Sequence, residues 1–140
     1  MQISAKMDYA VRALLALAAR DPELVRVDTI VDDQDMPGAF IREIIGELRR
    51  AGLIRSQRGN SGGYSLARPP GEISIGDIFR ALDGQLIEIH GLHPQETNYP
   101  GAAAHLPQVW IAMRDSLQQM LDETSLANVV EGSVPTNAYG

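Results

Sequence analysis

Residues 49–69, RRAGLIRSQRGNSGGYSLARP, constrain the fold of this chain more than any other part of its sequence. Gly52 follows two arginines and an alanine, and a glycine directly after basic residues is typical of the end of a helix. Residues 53–58 can then form a short strand, residues 59–63 a glycine-rich turn, and residues 64–66 a returning strand. A helix followed by a hairpin that carries arginines is the pattern of a DNA-binding wing.

Two helices are predicted before the hairpin. Residues 25–33 favour a short acidic helix with one apolar face, and residues 34–36 favour a turn. Pro37 suits the first position of the next helix, residues 37–50, because its missing amide hydrogen would have no partner there. The second helix has an apolar stripe formed by Phe40, Ile41, Ile44, Ile45 and Leu48. Together these elements predict a winged helix-turn-helix, mainly α with a small β wing.

The second helix is the predicted recognition helix. Its first residues, Pro37, Gly38 and Ala39, are small or compact and would allow a close approach to a DNA groove. Arg42 could donate to guanine N7 and O6, and Glu43 could accept from cytosine N4 or orient that arginine.

Other residues are predicted to contact the DNA backbone or the minor groove. Arg58, at the base of the glycine-rich turn, could enter a narrow minor groove. Lys6 and Tyr9 lie near the polar edge of a first helix that Ser4 would cap, although a partly buried ring is an equal alternative for Tyr9. The remaining candidates, some of which could be simple solvated groups, are Arg49, Arg50, Asn60 and Ser61.

The net charge of −6 argues at first against a nucleic-acid partner, since such proteins are often basic. Its distribution reverses that argument. Residues 42–68 carry six arginines against two glutamates, a net of +4, whereas residues 71–140 carry two arginines against nine acids, a net of −7. A basic patch on an acidic body can bind phosphate while the rest stays solvated. On charge alone, a solvated hairpin with ordinary arginines remains the alternative.

Several classes of protein are excluded or disfavoured. The chain has no cysteine, which excludes disulfides, thiolate zinc sites and cysteine-ligated iron–sulfur clusters. No apolar run reaches membrane-spanning length and no cleavage signature follows the N-terminus, so we expect an unprocessed cytoplasmic protein without a membrane partner. The glycine-rich turn lacks the lysine and hydroxyl residue of a P-loop, and no nucleophile–base pair is recognisable. We therefore expect no enzymatic activity.

A long amphipathic helix is predicted over residues 109–121. It carries much apolar surface for so small a body, which predicts a homodimer interface. The residues assigned to that interface are Trp110, Met113, Leu117, Met120 and Leu121. Residues 125–130 would follow as a terminal cap that could dock on the partner.

The predicted organisation has four parts. A winged helix-turn-helix domain occupies residues 1–84 and a sensor-like loop residues 85–107. A dimerisation helix with its terminal cap occupies residues 108–131. The last part, residues 132–140, has no periodicity and is expected to be disordered.

Three segments resemble one family of bacterial regulators. They are MQISAKMDYAVRALLALA, IREIIGELRRAGLIRSQRGNSGGYSLARPPGEISIGDIFRALDG and SLQQMLDETSLANVV, and the resemblance extends from residue 1 to about residue 131. The family includes the iron–sulfur cluster regulator IscR, the nitric-oxide sensor NsrR and the cysteine-metabolism repressor CymR. The resemblance implies a homodimeric winged-helix transcription factor. Its long C-terminal helices would cross at the dimer interface, and its recognition helices would enter successive major grooves of a dyad site.

The resemblance also assigns residues. It places the recognition positions at residues 37–43 and the wing arginine at Arg58. It places the N-terminal phosphate contacts on the first helix, at Lys6 and Tyr9. Ala39 and Phe40 stand where relatives commonly have a serine and a tyrosine, and Gln2 where many have an arginine. The operator sequence therefore cannot be inferred from a relative.

The loop that holds the sensor in cluster-binding relatives departs from the family more than the recognition helix does. Cluster-binding relatives have three cysteines in the loop that corresponds to residues 90–107, and this chain has none. His90, His93 and His105 lie in that loop and are weak candidates for ligands of a divalent metal or haem. The alternatives are a small-molecule pocket closed against Trp110, control by a protein effector, and constitutive DNA binding.

These observations predict a regulator, most often a repressor, that binds double-stranded DNA as a homodimer without a cysteine-ligated cluster or an identified cofactor. Two other hypotheses remain open. A winged-helix protein-interaction module would not need Arg58 for its function. A regulator that senses a histidine-ligated metal or haem would lose its response when the ligand is removed.

Overall fold

A computed structural model describes residues 2–82 and 84–135, which contain six α-helices and one two-stranded antiparallel sheet. The elements are α1 (Ala5–Ala18), α2 (Val27–Gln34), α3 (Gly38–Arg50), β1 (Ile54–Gln57), β2 (Gly63–Leu66), α4 (Ile75–Leu82), α5 (Leu106–Asp122) and α6 (Leu126–Glu131). The chain is therefore mainly α with a small β wing and a long C-terminal helix, as predicted. Of the tail predicted to be disordered, residues 136–140 lie outside the described residues.

Helix α1 lies at the centre of the hydrophobic core. Its buried residues include Met7, Leu14 and Leu17, and it packs against α2, α3, α4, β2 and α6. Burying one such side chain contributes roughly 1.5–3 kcal/mol, so this helix stabilises the packing of the five elements that it contacts. Ser4 caps the helix as predicted, since its hydroxyl accepts from the Met7 amide at 3.1 Å.

Arg12 connects α1 to the end of α2. Its Nε donates to Gln34 Oε1 at 3.3 Å, a terminal nitrogen donates to the Gln34 carbonyl, and its guanidinium lies 5.4 Å from the centre of the Tyr9 ring. These contacts fix the position at which the chain turns from α2 into α3. Arg12 is therefore a structural residue of the helix-turn-helix.

Predicted helix boundaries were wrong at α2, α3 and α5, and α5 begins at Leu106 although its start was predicted at residue 109. Val25 is extended, not helical, and exchanges two backbone hydrogen bonds of 2.8 Å with Tyr64, so that α2 begins only at Val27. The free edge of β2 supplies this pairing, which no local pattern around Val25 reveals. Pro37 is the N-cap of α3 with ψ 121°, one residue before the predicted position, and its carbonyl accepts the first helical hydrogen bond from Ile41.

The wing is held in register by its sheet and by Gly62. Ile54 pairs with Leu66 and both side chains are buried, which joins the base of the hairpin to the core. At the tip, a Cβ atom added to Gly62 would lie 2.1 Å from the Gln57 carbonyl oxygen. Only glycine allows the backbone to approach this closely.

Helix α4 connects the winged domain to α5. The Ser74 hydroxyl accepts from the Asp77 amide at 3.0 Å, and Asp77 accepts from the Ser74 amide at 3.0 Å, as in a capping box. Arg80 bridges Asp77 at 2.9 Å and Asp122, at the end of α5, at 2.7 Å. The start of α4 and the end of α5 are thus fixed to each other by charge.

Helix α6 belongs to the core of its own chain. Leu126 is fully buried and its amide donates to the Ile73 carbonyl at 2.9 Å, while the Ile75 amide donates to the Thr124 carbonyl at 2.8 Å. Leu126 therefore packs within its own chain, whereas Val130 of the same helix is 45% exposed, and docking of this segment on a partner stays a prediction.

The pKa of Asp77 leads to a prediction about acid stability. Burial raises the pKa of its carboxyl, but hydrogen bonds from the Ser74 amide and the Arg80 guanidinium outweigh burial and lower that pKa below the ordinary aspartate value. The charged form therefore stabilises the fold above the pKa of the unfolded state, and this contribution is lost as pH falls through the lowered value.

We expect Asp77→Asn to reduce the free energy of unfolding at neutral pH by on the order of 1 kcal/mol. The difference from the parent should begin to shrink below about pH 4, the ordinary aspartate range, and should continue to shrink as pH falls through the lowered pKa of the folded protein. Urea unfolding at neutral pH and at acid pH measures both values. Asp32→Asn, at an exposed position of α2, is the control. A difference that stayed constant with pH would contradict the role of the Asp77 charge.

Candidate nucleic-acid interface

Helix α3 separates a buried face from an exposed one. Its stripe of isoleucines and Leu48 is buried, as the apolar spacing predicted. Pro37, Ala39, Arg42 and Glu43 are exposed on the opposite side, at the beginning of the helix. The polar groups needed to contact base edges therefore lie on the surface of the predicted recognition helix.

Arg42 has an acidic neighbour on α2. One of its terminal nitrogens lies 3.5 Å from Asp28 Oδ1, with 65% and 80% of the two side chains exposed. An exposed pair of this kind contributes less than about 1 kcal/mol. Arg42 can therefore leave Asp28 for another acceptor at little cost.

The two candidates on α1 differ in their availability. Lys6 forms an ion pair of 2.8 Å with Glu47 of α3, so a phosphate would have to compete with that carboxylate. Tyr9 is half-buried and meets the Phe40 ring edge-on with 5.5 Å between centroids. Its ring thus packs between α1 and the start of α3, in line with the alternative stated for it above.

The wing places its polar residues in solvent. Arg58, Asn60 and Ser61 are exposed around the tip, and no carboxylate of the described residues lies within ion-pair distance of Arg58. Arg49 and Arg50 are exposed at the end of α3, and Arg49 donates to Ser56 Oγ of β1 at 3.4 Å. The basic residues of α3 and the wing are therefore accessible to solvent, and Arg49 links the end of α3 to β1.

A groove of about 360 Å³ separates the wing from helices α2 and α3. Arg42 lines its helical side, Arg58 and Gly59 line its wing side, and Arg26 and Asp28 lie at the start of α2. Arg26 was not among the predicted contacts, because its position was assigned to an acidic helix. The Val25–Tyr64 pairing, which brings Arg26 to the wing, was not visible in a local pattern.

An apolar stripe lies along the outer surface of α5. Met113 is 49% exposed, and Val109 and Met120 are also exposed. Of the other residues assigned to a dimer interface, Trp110 and Leu117 are half-buried, whereas Leu121 is 9% exposed and packs in the core of its own chain. The exposed stripe therefore differs from the predicted set, since Leu121 contributes to packing within the chain and Val109 joins the surface.

The loop before α5 packs on that helix without grouping its histidines. His93 Nε2 lies 2.8 Å from Gln85 Nε2 and 3.6 Å from Glu96, His105 precedes α5, and His90 has a positive φ of 52°. Within residues 2–82 and 84–135, no three His, Asp or Glu side chains form a group that could hold a metal ion. No helix in the same residues is long and apolar enough to cross a membrane.

A helix-turn-helix followed by an arginine-bearing wing defines a class of protein, the winged-helix DNA-binding transcriptional regulators. Within that class the chain belongs to the Rrf2 family, whose model, described as an iron-dependent transcriptional regulator, matches residues 3–132. The relatives are named as transcriptional regulators, and transcriptional regulation is not an enzymatic activity.

Individual relatives support the assignment. The sequence is similar to an HTH-type transcriptional regulator of Mycobacterium tuberculosis, at 42% identity over 136 residues, covering 96% of this chain and 84% of that one. The structure is similar to that of CymR, the global cysteine regulator of B. subtilis, with a TM-score of 0.80 and 28% identity over 94% of this chain and 98% of that one. It is also similar to T. potens IscR, with a TM-score of 0.76 and 29% identity over 99% and 95%.

Proposed function

We propose that this protein is a cytoplasmic homodimeric repressor that binds a dyad operator. The observation that carries the proposal is the groove between α3 and the wing, where Arg42 and Arg58 face each other from the two elements that a winged-helix protein uses on DNA. In this arrangement α3 enters the major groove and Arg58 the adjacent minor groove. Arg42 and Glu43 would contact bases, while Arg49, Arg50, Asn60 and Ser61 would contact the backbone.

The proposed dimer is supported by the apolar stripe on α5, whose Val109, Met113 and Met120 are exposed. Pairing two such stripes would remove these side chains from water and place two α3 helices on one DNA duplex. Two recognition helices in successive major grooves are about 34 Å apart, which predicts an inverted repeat. A dimer that covers such a site can repress by occupying the promoter, with no further activity required.

We further propose that regulation does not use a cysteine-ligated iron–sulfur cluster. The family description implies iron, but the chain has no cysteine to ligate a cluster. His93 lies near Glu96, yet the described residues offer no third ligand within one chain. A small-molecule or protein effector, or constitutive binding, is therefore the proposed mode of control.

The experiment is selection of bound duplexes from a pool of random-sequence DNA by the native protein. We expect the recovered duplexes to share an inverted repeat with half-sites one helical turn apart. Arg58→Ala should weaken binding to them by roughly tenfold, since it removes a charged contact. Arg20→Ala, which removes the same charge at the far end of α1, should bind like the parent.

Three results would contradict the proposal in whole or in part. If the recovered duplexes shared no common sequence, the proposed operator would be rejected. An Arg58→Ala protein with unchanged DNA affinity would favour the protein-interaction hypothesis. A shared single half-site without a repeat would reject the dyad while retaining DNA binding.

A further inference from the structure

We propose that the groove between the wing and α2–α3 binds the sugar-phosphate backbone that separates the major groove from the adjacent minor groove, and that Arg26 is a phosphate contact in it. This inference rests on the proposed function and adds a contact that neither the recognition helix nor the wing tip supplies. The contact is independent of base sequence, because phosphate groups are the same at every step.

The path of the DNA follows from the two elements. If α3 enters a major groove and the wing enters the neighbouring minor groove, one backbone must pass between them. The groove lined by Arg42 on one side and by Arg58 and Gly59 on the other occupies that position. Gly59 has no side chain to narrow the groove, and Gly62 and Gly63 also line it.

The charge of the groove suits a polyanion. Three arginines, Arg26, Arg42 and Arg58, line it together with a single carboxylate, that of Asp28. Asp28 is paired with Arg42 at 3.5 Å. Among the described residues, no carboxylate lies within ion-pair distance of Arg26 or Arg58. Two guanidinium groups therefore remain available for phosphate oxygens, which they can bind in a bidentate manner.

The backbone of Arg26 is fixed on both sides. Val25 is buried and exchanges two 2.8 Å hydrogen bonds with Tyr64 of the wing, and α2 begins at Val27. The exposed Arg26 side chain makes one long hydrogen bond, 3.5 Å from Nη1 to the Asn60 carbonyl at the wing tip. A fixed backbone with a weakly held guanidinium lowers the entropy lost on binding without blocking the group.

Arg42 and Arg26 have different neighbours in the groove. Asp28 lies 3.5 Å from Arg42 in an exposed pair that is easily broken, so Arg42 can turn to bases on the exposed face of α3. Arg26, at the start of α2, and Arg58, on the wing side, have no such partner among the described residues. We accordingly assign Arg42 to the bases and Arg26 to the backbone.

The test measures the salt dependence of DNA binding for the parent and for Arg26→Gln, on a selected duplex and on a scrambled duplex of equal length. Loss of one phosphate contact should reduce the slope of log K against log salt by about 0.9. Affinity should fall roughly tenfold and by the same factor on both duplexes. Arg26→Lys should restore most of the slope, because it restores the charge.

A second arm identifies the phosphate. Single methylphosphonates, which are neutral, are placed in turn along the strand between the half-site major groove and the next minor groove. One of these substitutions should weaken DNA binding by the parent protein about as much as Arg26→Gln does. Combined with Arg26→Gln, it should cause little further loss of affinity. Fully additive losses at every position would overturn the assignment.

The outcomes separate this inference from the proposed function. A parent protein that binds no duplex at any salt rejects the function itself. A parent that binds with a normal salt slope, together with an Arg26→Gln protein of unchanged slope, rejects only the contact. Competition by inorganic phosphate at matched ionic strength would indicate a free-anion site and would also overturn the proposal. Thermal unfolding of Arg26→Gln should match the parent, since the side chain is exposed.

Discussion

Met113→Asp is expected to convert the protein from a dimer to a monomer and to reduce affinity for the dyad duplex about 100-fold or more. The physical reason is that Met113 is 49% exposed in the middle of the α5 stripe, between Val109 and Met120. A carboxylate there would have to be buried without a partner in the dimer. The monomer would keep its fold, because the exposed side chain adds little to its own core. Light scattering after size-exclusion chromatography and a DNA titration measure the two effects.

Gln108→Asp is the matched control for this prediction. It adds the same charge to an exposed position of α5 outside the stripe, and both oligomeric state and affinity should remain those of the parent. If Met113→Asp remained dimeric, the α5 stripe would not be the interface. If it became monomeric with unchanged affinity for the dyad duplex, the operator would not require two recognition helices.

The second large effect is expected for Gly62→Ala, which should lower the free energy of unfolding by about 1–3 kcal/mol. The added methyl carbon would lie 2.1 Å from the Gln57 carbonyl oxygen, so the backbone of the wing must shift. That shift moves the neighbouring Arg58, and DNA affinity should fall together with stability. Chemical unfolding and the DNA titration measure the two losses on the same preparation.

Gly71→Ala tests whether the effect belongs to the wing. A methyl group at Gly71 would meet no heavy atom of the described residues within 4 Å, so stability and affinity should both be retained. Equal losses in the two variants would show that the close approach of Gly62 to Gln57 has no special cost.

Features that depend on neighbouring residues were predictable from the sequence. The buried stripe of α3 followed from helical spacing, and the hairpin followed from a glycine-rich turn between two short strands. Ser4 was recognised as a helix cap because capping involves only the next three residues. Local chemistry therefore fixed most of the winged domain.

Features that depend on distant residues were missed. Val25 pairs with Tyr64, 39 positions further along the chain, and this contact moved the start of α2 and brought Arg26 to the groove. Leu126 was assigned to the terminal cap of a dimerisation helix, yet it is fully buried beside Ile73 of the same chain. Apolar spacing indicates that a face will be covered, but not whether its own chain or a partner covers it.

The candidate site was predictable only where the position of a residue depends on its neighbours in the sequence. Exposure of Arg42 and Arg58 followed from their places in a helix and a turn. The ion pair of Lys6 with Glu47 joins α1 to α3 and required the packing of those helices to be known. Which of these residues contact DNA remains a prediction that the variants above test.

The most direct test of the central claim is a titration of the native protein with the selected duplex and with its scrambled counterpart at several salt concentrations. We expect the selected duplex to bind about 1,000-fold tighter or more at physiological salt, and both affinities to fall steeply as salt rises. Equal affinity for the two duplexes, or binding that does not change with salt, would contradict the account of α3 and the wing as a sequence-specific DNA interface.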